Sequence, residues 1–251
     1  KIYRGVLTGL NEAFVIDRAT RERLIAQDSR SAEVIKPFLA GRDIKRYEQP
    51  RSDKFLIFTR RGINIEEYPA ILAHLSQFRE RLEPKPKDFK GKWSGRKPGT
   101  YKWYEIQDAV DYYEEFEKGK IMYQSFQVKP VFIFDEQKMY CNNSMWILPE
   151  ADYVLLAILN SRLGWFLISN YCSAIQNGFQ LIWKYLSQIP IAESSEMQSS
   201  KLTELVESLV NPDSSDLREQ LAKEIDEIVF KLYGLTEEEV DLISKYGQNE
   251  I

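Results

Sequence analysis

The stretch that most limits how this chain can fold runs from Pro84 to Tyr104, Pro-Lys-Pro-Lys-Asp-Phe-Lys-Gly-Lys-Trp-Ser-Gly-Arg-Lys-Pro-Gly-Thr-Tyr-Lys-Trp-Tyr. Three prolines and three glycines interrupt it, so no regular helix can run through it. A long irregular segment in a compact domain is as a rule functional or disordered. Five aromatics, Phe89, Trp93, Tyr101, Trp103 and Tyr104, argue against disorder, because disordered segments are poor in rings. Among the rings stand seven basic residues, Lys85, Lys87, Lys90, Lys92, Arg96, Lys97 and Lys102, and one acid, Asp88. Cations beside flat apolar surface suit a nucleic acid, with charge for phosphate and rings for sugar or base. The competing reading is a solvated basic loop whose rings pack back onto their own domain.

The rest of the composition sets the frame. With 251 residues, 43% of them hydrophobic, the chain can bury one large core or form a domain with an appendage. It opens on Lys1 rather than Met and is expected to be part of a longer protein. The longest apolar segment, Tyr153 to Ile168, is interrupted by Asn160, Ser161 and Arg162. No membrane span is therefore expected, and a cytoplasmic location is. Cys141 and Cys172 form no CxxC pair and read as small buried residues rather than a disulfide or zinc site. The net charge of -4 is unevenly spread: residues 193–251 hold 15 acids and 5 basic residues, and the preceding 192 hold 29 basic and 23 acidic groups. A mildly basic body and an acidic tail fit a DNA-facing body, and equally a helical tail with a solvated charged face.

Along the chain, the apolar runs around Val6 and Phe14-Val15-Ile16 predict strand, turn, strand. A short helix is expected over 20–26 and a strand over 55–59, ended by Arg60-Arg61-Gly62. Residues 68–82 show helical spacing with Pro69 in the first turn. The only histidine, His74, falls on that helix without a ligand set and reads as structural. The acidic segment 106–118 is expected to be a helix. Strands are expected at 120–125, 131–134, 138–141 and 145–148, with a hairpin turn at Asp135-Glu136-Gln137. An apolar helix follows over 152–167, then a polar loop over 173–179. The serine-rich stretch 192–200 reads as a hinge. Beyond it, Leu202, Leu205, Val206 and Leu209, and then Leu217, Leu221, Ile225, Ile228, Val229 and Leu232, form helical stripes separated by Asn211-Pro212-Asp213. Gly234 should stop the second helix, and Thr236 to Glu239 should cap a last one. The fold expected is α+β: a twisted, mostly antiparallel sheet with packed helices over 1–192, followed by a helical segment over 193–251.

With these segments placed, four stretches resemble one family. They are Gly5-Val-Leu-Thr-Gly-Leu-Asn-Glu-Ala-Phe14; Ile35-Lys-Pro-Phe-Leu-Ala-Gly-Arg-Asp-Ile-Lys-Arg-Tyr47; Leu159-Asn-Ser-Arg-Leu163 with Leu186-Ser-Gln-Ile-Pro-Ile191; and Ile225-Asp-Glu-Ile-Val-Phe-Lys-Leu-Tyr-Gly-Leu-Thr-Glu-Glu-Glu239. Their order and spacing are similar to the TaqI-like C-terminal specificity domain, the target recognition domain of restriction-modification adenine DNA methyltransferases. The resemblance implies a module that selects a sequence in double-stranded DNA. It implies too that a separate methyltransferase or nuclease region, in the same chain or complex, does the chemistry, the target adenine being flipped out and methylated with S-adenosylmethionine. That cofactor, with Mg²⁺ as a further candidate, is expected of the full-length parent and neither of this chain. The sequence carries no Asn-Pro-Pro-Tyr or Asp-Pro-Pro-Tyr box and no glycine-rich cofactor loop after a first strand. No enzymatic activity is therefore expected of the chain alone.

Base reading needs paired donors, or a donor beside an acceptor. The candidates are Arg60, Arg61, Gln124, Gln127, Asn142, Asn143, Gln176 and Asn177, beside the loop residues Lys85, Lys87, Lys90, Lys92, Trp93, Arg96, Lys97, Tyr101, Lys102 and Trp103. Asn142-Asn143 reads equally as a turn between strands. Arg42, Lys45 and Arg46 suit phosphate, the neighbouring methyltransferase, or a solvated turn. Glu136-Gln137-Lys138 fits part of a nuclease metal site, with only Asp135 close in sequence to complete it. A different class of function, a protein-interaction or assembly domain packing or dimerising through its C-terminal helices, would show weak salt dependence where DNA binding shows a steep one.

Overall fold

The computed structural model describes residues 1–210 and 217–246. The first sheet has the order β1 (Tyr3–Arg4), β9 (Met145–Pro149), β5 (Lys120–Gln124), β7 (Phe132–Asp135), every pair antiparallel. The period-two alternation of β5 shows why it is central. Ile121 and Tyr123 face one core with Phe132, and Met122 faces another with Ile133 and Ile147. The second sheet, β2 (Val15–Asp17), β4 (Lys54–Ile57), β3 (Ile35–Leu39), β8 (Tyr140–Cys141), is antiparallel except for the β3–β8 pair. The helices α1 (Asn11–Phe14), α2 (Arg18–Gln27), α3 (Ser31–Val34), α4 (Pro69–Ser76) and α5 (Arg79–Leu82) complete that half. A third, small sheet joins β6 (Phe126–Gln127) to the hairpin β10 (Ser173–Ile175) and β11 (Gly178–Gln180). The architecture is the expected α+β class.

The other core lies between the first sheet, α6 (Tyr153–Asn160), α7 (Arg162–Tyr171), α8 (Trp183–Leu186) and the three C-terminal helices α9 (Glu196–Val210), α10 (Arg218–Leu232) and α11 (Glu237–Lys245). The expected stripes are buried: Leu202, Leu205, Val206 and Leu209 on α9, and Ile225 and Val229 on α10, with Leu221, Ile228 and Leu232 partly buried against them. Leu217 leaves the stripe and is exposed, because it precedes the first full turn of α10. Gly234, at φ +64°, ends α10 where a side chain would be strained. Thr236 and Glu239 form the reciprocal capping box. Asn211-Pro212-Asp213 lies outside the described residues. Ile225 is fully buried, so Ile225→Ala should lower stability by about 3 kcal/mol through lost contacts and a residual cavity. Denaturant titration checks this; a loss near zero would mean that the stripe is not packed.

Several local expectations are corrected. The Asp135-Glu136-Gln137 segment is not a hairpin turn: β7 pairs with β5 and β8 with β3, so the chain crosses there from one sheet to another. Asp135 anchors the crossing, with its buried carboxylate accepting from Lys120 Nζ and from the backbone N–H groups of Gln137 and Met139. Those bonds also take it away from any metal site with Glu136. The 106–118 segment is turns and a single 3-10 stretch, Tyr113–Glu117; Ile106, Val110 and Phe116 pack inward, but Val110 at φ +48° breaks any α-helix across the segment. The 68–82 helix breaks at Gln77-Phe78 into α4 and α5. The 152–167 helix breaks at Ser161, whose hydroxyl accepts from Gly164 N and starts α7. The 173–179 segment is a hairpin rather than a loop. The run around Val6 makes only an isolated bridge to Asn142. His74 is buried, its Nε2 3.1 Å from the Ala13 carbonyl oxygen. Both cysteines are free and buried.

Candidate nucleic-acid interface

The Pro84–Tyr104 loop is ordered around Arg96. A bridge between Pro84 and Arg96 closes its first part, through Lys85 N to Arg96 O and Arg96 N to Glu83 O, each 3.0 Å. The Arg96 side chain, 4% exposed, then donates to five carbonyl oxygens: Leu82 (2.8 Å), Thr8 (2.9 Å), Glu105 (2.7 Å), Lys102 (3.1 Å) and Trp103 (2.8 Å). A guanidinium has five N–H donors in a rigid fork, and here each of the three nitrogens is engaged by backbone. The Tyr101 ring covers it, 4.4 Å from the centroid. Burial pushes the Arg96 pKa down to about 10, which leaves it charged at neutral pH. Beside it the buried Glu105 carboxylate accepts from Gly62 N and Lys102 N.

This hub divides the loop into anchors and free cations. Arg96 and Tyr101 are anchors, which corrects the expectation that they face DNA: one is saturated by carbonyl groups and the other is buried on top of it. Trp93 is half-buried, with its indole N–H donating to Glu83 O at 3.0 Å. Trp103 is half-buried between Tyr104 and the Arg79 guanidinium. Most rings thus pack back on their own domain, and Phe89 is the one left exposed. Lys87, Lys90, Lys92, Lys97 and Lys102 are exposed, and Lys85 is half-buried with its Nζ donating to Gly91 O. A rigid backbone presenting loose cations is an arrangement that can lie along a polyanion with little ordering cost.

The other candidates separate into two groups. Arg61 ties the end of β4 to the loop, donating to Thr100 Oγ1 and Gln107 O, and Arg60 lies over the Tyr113 ring at 4.3 Å. Gln127 is buried and staples the 124–131 turn, bonding Val131 through both ends of its amide, which removes it from base reading. Asn142, Asn143 and Ser144 form the turn before β9, with Ser144 Oγ donating to Asn142 Oδ1. That turn faces a cleft of about 670 Å³ lined by Asn11, Asp17, Arg42, Lys54, Asn142 and Ser144 among others. A second cleft of about 260 Å³ shares Gly41 and Arg42 with the first and continues over Gln124, Phe126, Val128 and Lys129. Gln176 and Asn177 are exposed at the tip of the adjoining hairpin.

Arg42 therefore stands on the ridge between two clefts, 77% exposed at its side chain and 3.8 Å from Asp43. The first cleft lies next to the loop through the 8–11 turn: Thr8 O accepts from Arg96, and Thr8 Oγ1 donates to Asn11. Loop, clefts and hairpin follow one another across the body. Lys54, Ser144 and Lys129 belong to this run and were not singled out in the sequence. The signal was present for Lys129, in an acid-free stretch from Gln124 to Pro130. Arg46 points elsewhere, into a small cavity with Arg162 and Asp226 at the junction with α10. Among the described residues there is no group of three or more His, Cys, Asp or Glu placed to hold a metal ion. Among them too, no helix is long and apolar enough to cross a membrane.

No curated protein matches the sequence. The whole chain superposes on part of the type IIL restriction-modification enzyme MmeI, whose structure is in complex with DNA, with a TM-score of 0.66 at 14% identity. It spans 35% of the MmeI chain. The type IIG restriction endonuclease BpuSI aligns over 92% of this chain and 30% of its own, with a TM-score of 0.47 at 12% identity. At such identities the likeness to MmeI is one of fold. Residues 36–191 match the TaqI-like C-terminal specificity domain, a span that takes in the basic loop, the second cleft, the hairpin, and Arg42, Lys54, Asn142 and Ser144 of the first cleft. The chain belongs to the TaqI-like C-terminal specificity domain family.

Proposed function

We propose that this chain selects the target sequence in double-stranded DNA for a restriction-modification enzyme, directing an adenine methyltransferase or endonuclease region in the same chain or complex. Residues 1–192 are the recognition domain in this reading, and 193–251 a helical segment packed on it. The family match over 36–191 carries the proposal. Support comes from the exposed lysines of a loop whose backbone is held by Arg96, beside clefts lined by Arg42, Lys54 and Lys129. The loop lysines and Arg42 contact phosphate, while Asn142, Asn143, Gln176 and Asn177 are the side chains suited to bases. S-adenosylmethionine, and Mg²⁺ where the parent cleaves DNA, belong to other regions of that parent. This chain has neither a glycine-rich cofactor loop nor an acceptor-amine box. The assembly takes place in the cytoplasm.

The reading as an assembly domain acting through its C-terminal helices is less well supported, because the stripes of α9 and α10 already cover α6 and α7. The purified chain should bind duplex DNA with an affinity that falls steeply with salt, and should neither methylate nor cleave it. Methyl transfer from labelled S-adenosylmethionine, or cutting of a duplex by the chain alone, would overturn the division of labour. Duplex binding indifferent to salt would overturn the phosphate-contact role of the loop.

A further inference from the structure

The third sheet has two unlike faces. On the inner one, Phe179 packs edge-on against the buried Trp165, with ring centroids 5.4 Å apart. On the outer one stand Phe126 and Ile175, 36% and 40% exposed, with Val128 exposed beside them. The hairpin is held firmly. Ile175 pairs with Gly178 across a two-residue tip, β11 pairs with β6, and Leu181 N donates to Ser125 O at 2.7 Å. Gly178 is required there: a Cβ would stand 2.4 Å from Gln127 O and 2.9 Å from the Phe126 ring. At the tip, Gln176 holds a positive φ of 53° although it is not glycine. Left-handed backbone at a non-glycine residue is costly and gathers at functional sites. The side chain kept at this cost is an exposed amide, followed by the exposed amide of Asn177.

The electrostatics agree. The two segments that build this edge, Gln124–Val131 and Ser173–Lys184, contain no acid. Lys129 is exposed, forms no ion pair among the described residues, and shares its cleft with Arg42. A two-stranded ribbon fits the major groove, where Asn and Gln amides match the N6 and N7 edge of adenine and apolar groups meet the thymine methyl.

We propose that the Gln176–Asn177 hairpin tip enters the major groove of the target duplex and reads A·T pairs. Its two amides face adenine, Ile175 and Phe126 offer apolar surface to thymine methyls, and Arg42 and Lys129 hold the flanking phosphates. This rests on the reading of the chain as a DNA specificity domain.

The test uses the 251-residue chain and a pool of duplexes randomised over twelve or so base pairs, with the bound fraction sequenced. Wild type should enrich a motif containing A·T pairs. Gln176→Gly relieves the positive φ while removing the amide, so it should melt no lower than wild type and yet lose preference at one or two adjacent A·T positions. The loss expected for a bidentate pair is on the order of ten- to a hundred-fold. Asn177→Ala should act at the same or the next position, and both variants should keep the wild-type salt slope. The same motif with undiminished preference in both variants overturns the hairpin assignment and leaves the DNA reading standing. A loss that falls only on G·C positions also overturns it. If the wild-type chain enriches no motif and binds no duplex, the underlying reading fails and this one with it.

Discussion

Arg96→Ala is expected to destabilise the chain by at least about 4 kcal/mol and to release the Pro84–Tyr104 loop. The guanidinium serves five carbonyl groups drawn from three separate segments, around Thr8, Leu82 and Lys102–Glu105. Removing it takes the donor from the Thr8, Leu82, Trp103 and Glu105 carbonyls, while Lys102 O keeps the Glu105 N–H, at a cost of about 1–3 kcal/mol for each acceptor that stays buried and unpaired. The costs do not add fully, because a freed loop lets some of them reach water. Glu105 would also lose its nearby positive charge. Arg96→Lys should recover only part of the loss, since an ammonium has three donors and no planar fork. Denaturant titration measures the stability, and amide hydrogen exchange over 84–104 the ordering. A loss below about 1 kcal/mol with unchanged protection would show that the loop holds itself without the hub.

The second large effect is expected at the crossing between the first two sheets. Lys120 and Asp135 form an ion pair with both side chains fully buried. Phe116 O also accepts from Lys120 Nζ at 2.6 Å. Either Lys120→Met or Asp135→Leu alone leaves an uncompensated buried charge and should cost about 3–5 kcal/mol. The double variant should cost much less than the sum of the two, because paired charges replaced together by apolar groups leave unsatisfied only the backbone N–H groups that Asp135 caps and the carbonyl groups that Lys120 serves. Additive single and double losses would contradict a direct coupling. Asp135 makes the sharper experiment, because it also fixes the turn into β8 through Gln137 N and Met139 N.

Much of the fold was legible because its signals are local. The stripes at Leu202 to Leu209 and Ile225 to Val229, the alternation in Lys120 to Gln124, Pro69 at a helix start and the Thr236–Glu239 box each declare themselves within a few residues. What stayed hidden depends on partners far along the chain. The strand after Asp135 reads as a hairpin partner, and only its pairing with β3 shows the crossing between sheets. The hairpin at 173–180 was missed because its strands are three residues each; its Asn177-Gly178 signal was read as part of a polar loop, and the glycine falls one place past the Gln176-Asn177 tip. The basic loop was found from its composition, but Arg96 could not be separated from its neighbours. Every cation there looks alike until the carbonyl groups of Thr8 and Leu82 arrive around one of them. The rings misled for the same reason: Trp93 and Trp103 resemble stacking platforms in sequence and are packed against Glu83, Tyr104 and Arg79 in the fold.

We propose that this loop, held by Arg96 and carrying its lysines outward, lies along the phosphate backbone of DNA. Its most direct test is a salt titration of duplex binding by wild type and by the Lys90→Ala, Lys92→Ala double variant. Both side chains are exposed, and neither forms an ion pair among the described residues. Each phosphate contact contributes about -0.9 to the slope of log affinity against log salt. The double variant should therefore show a slope shallower by about 1.8, weaker binding to cognate and random duplexes alike, and an unchanged melting temperature. Equal affinity and equal slope in the two proteins would take the loop out of the interface.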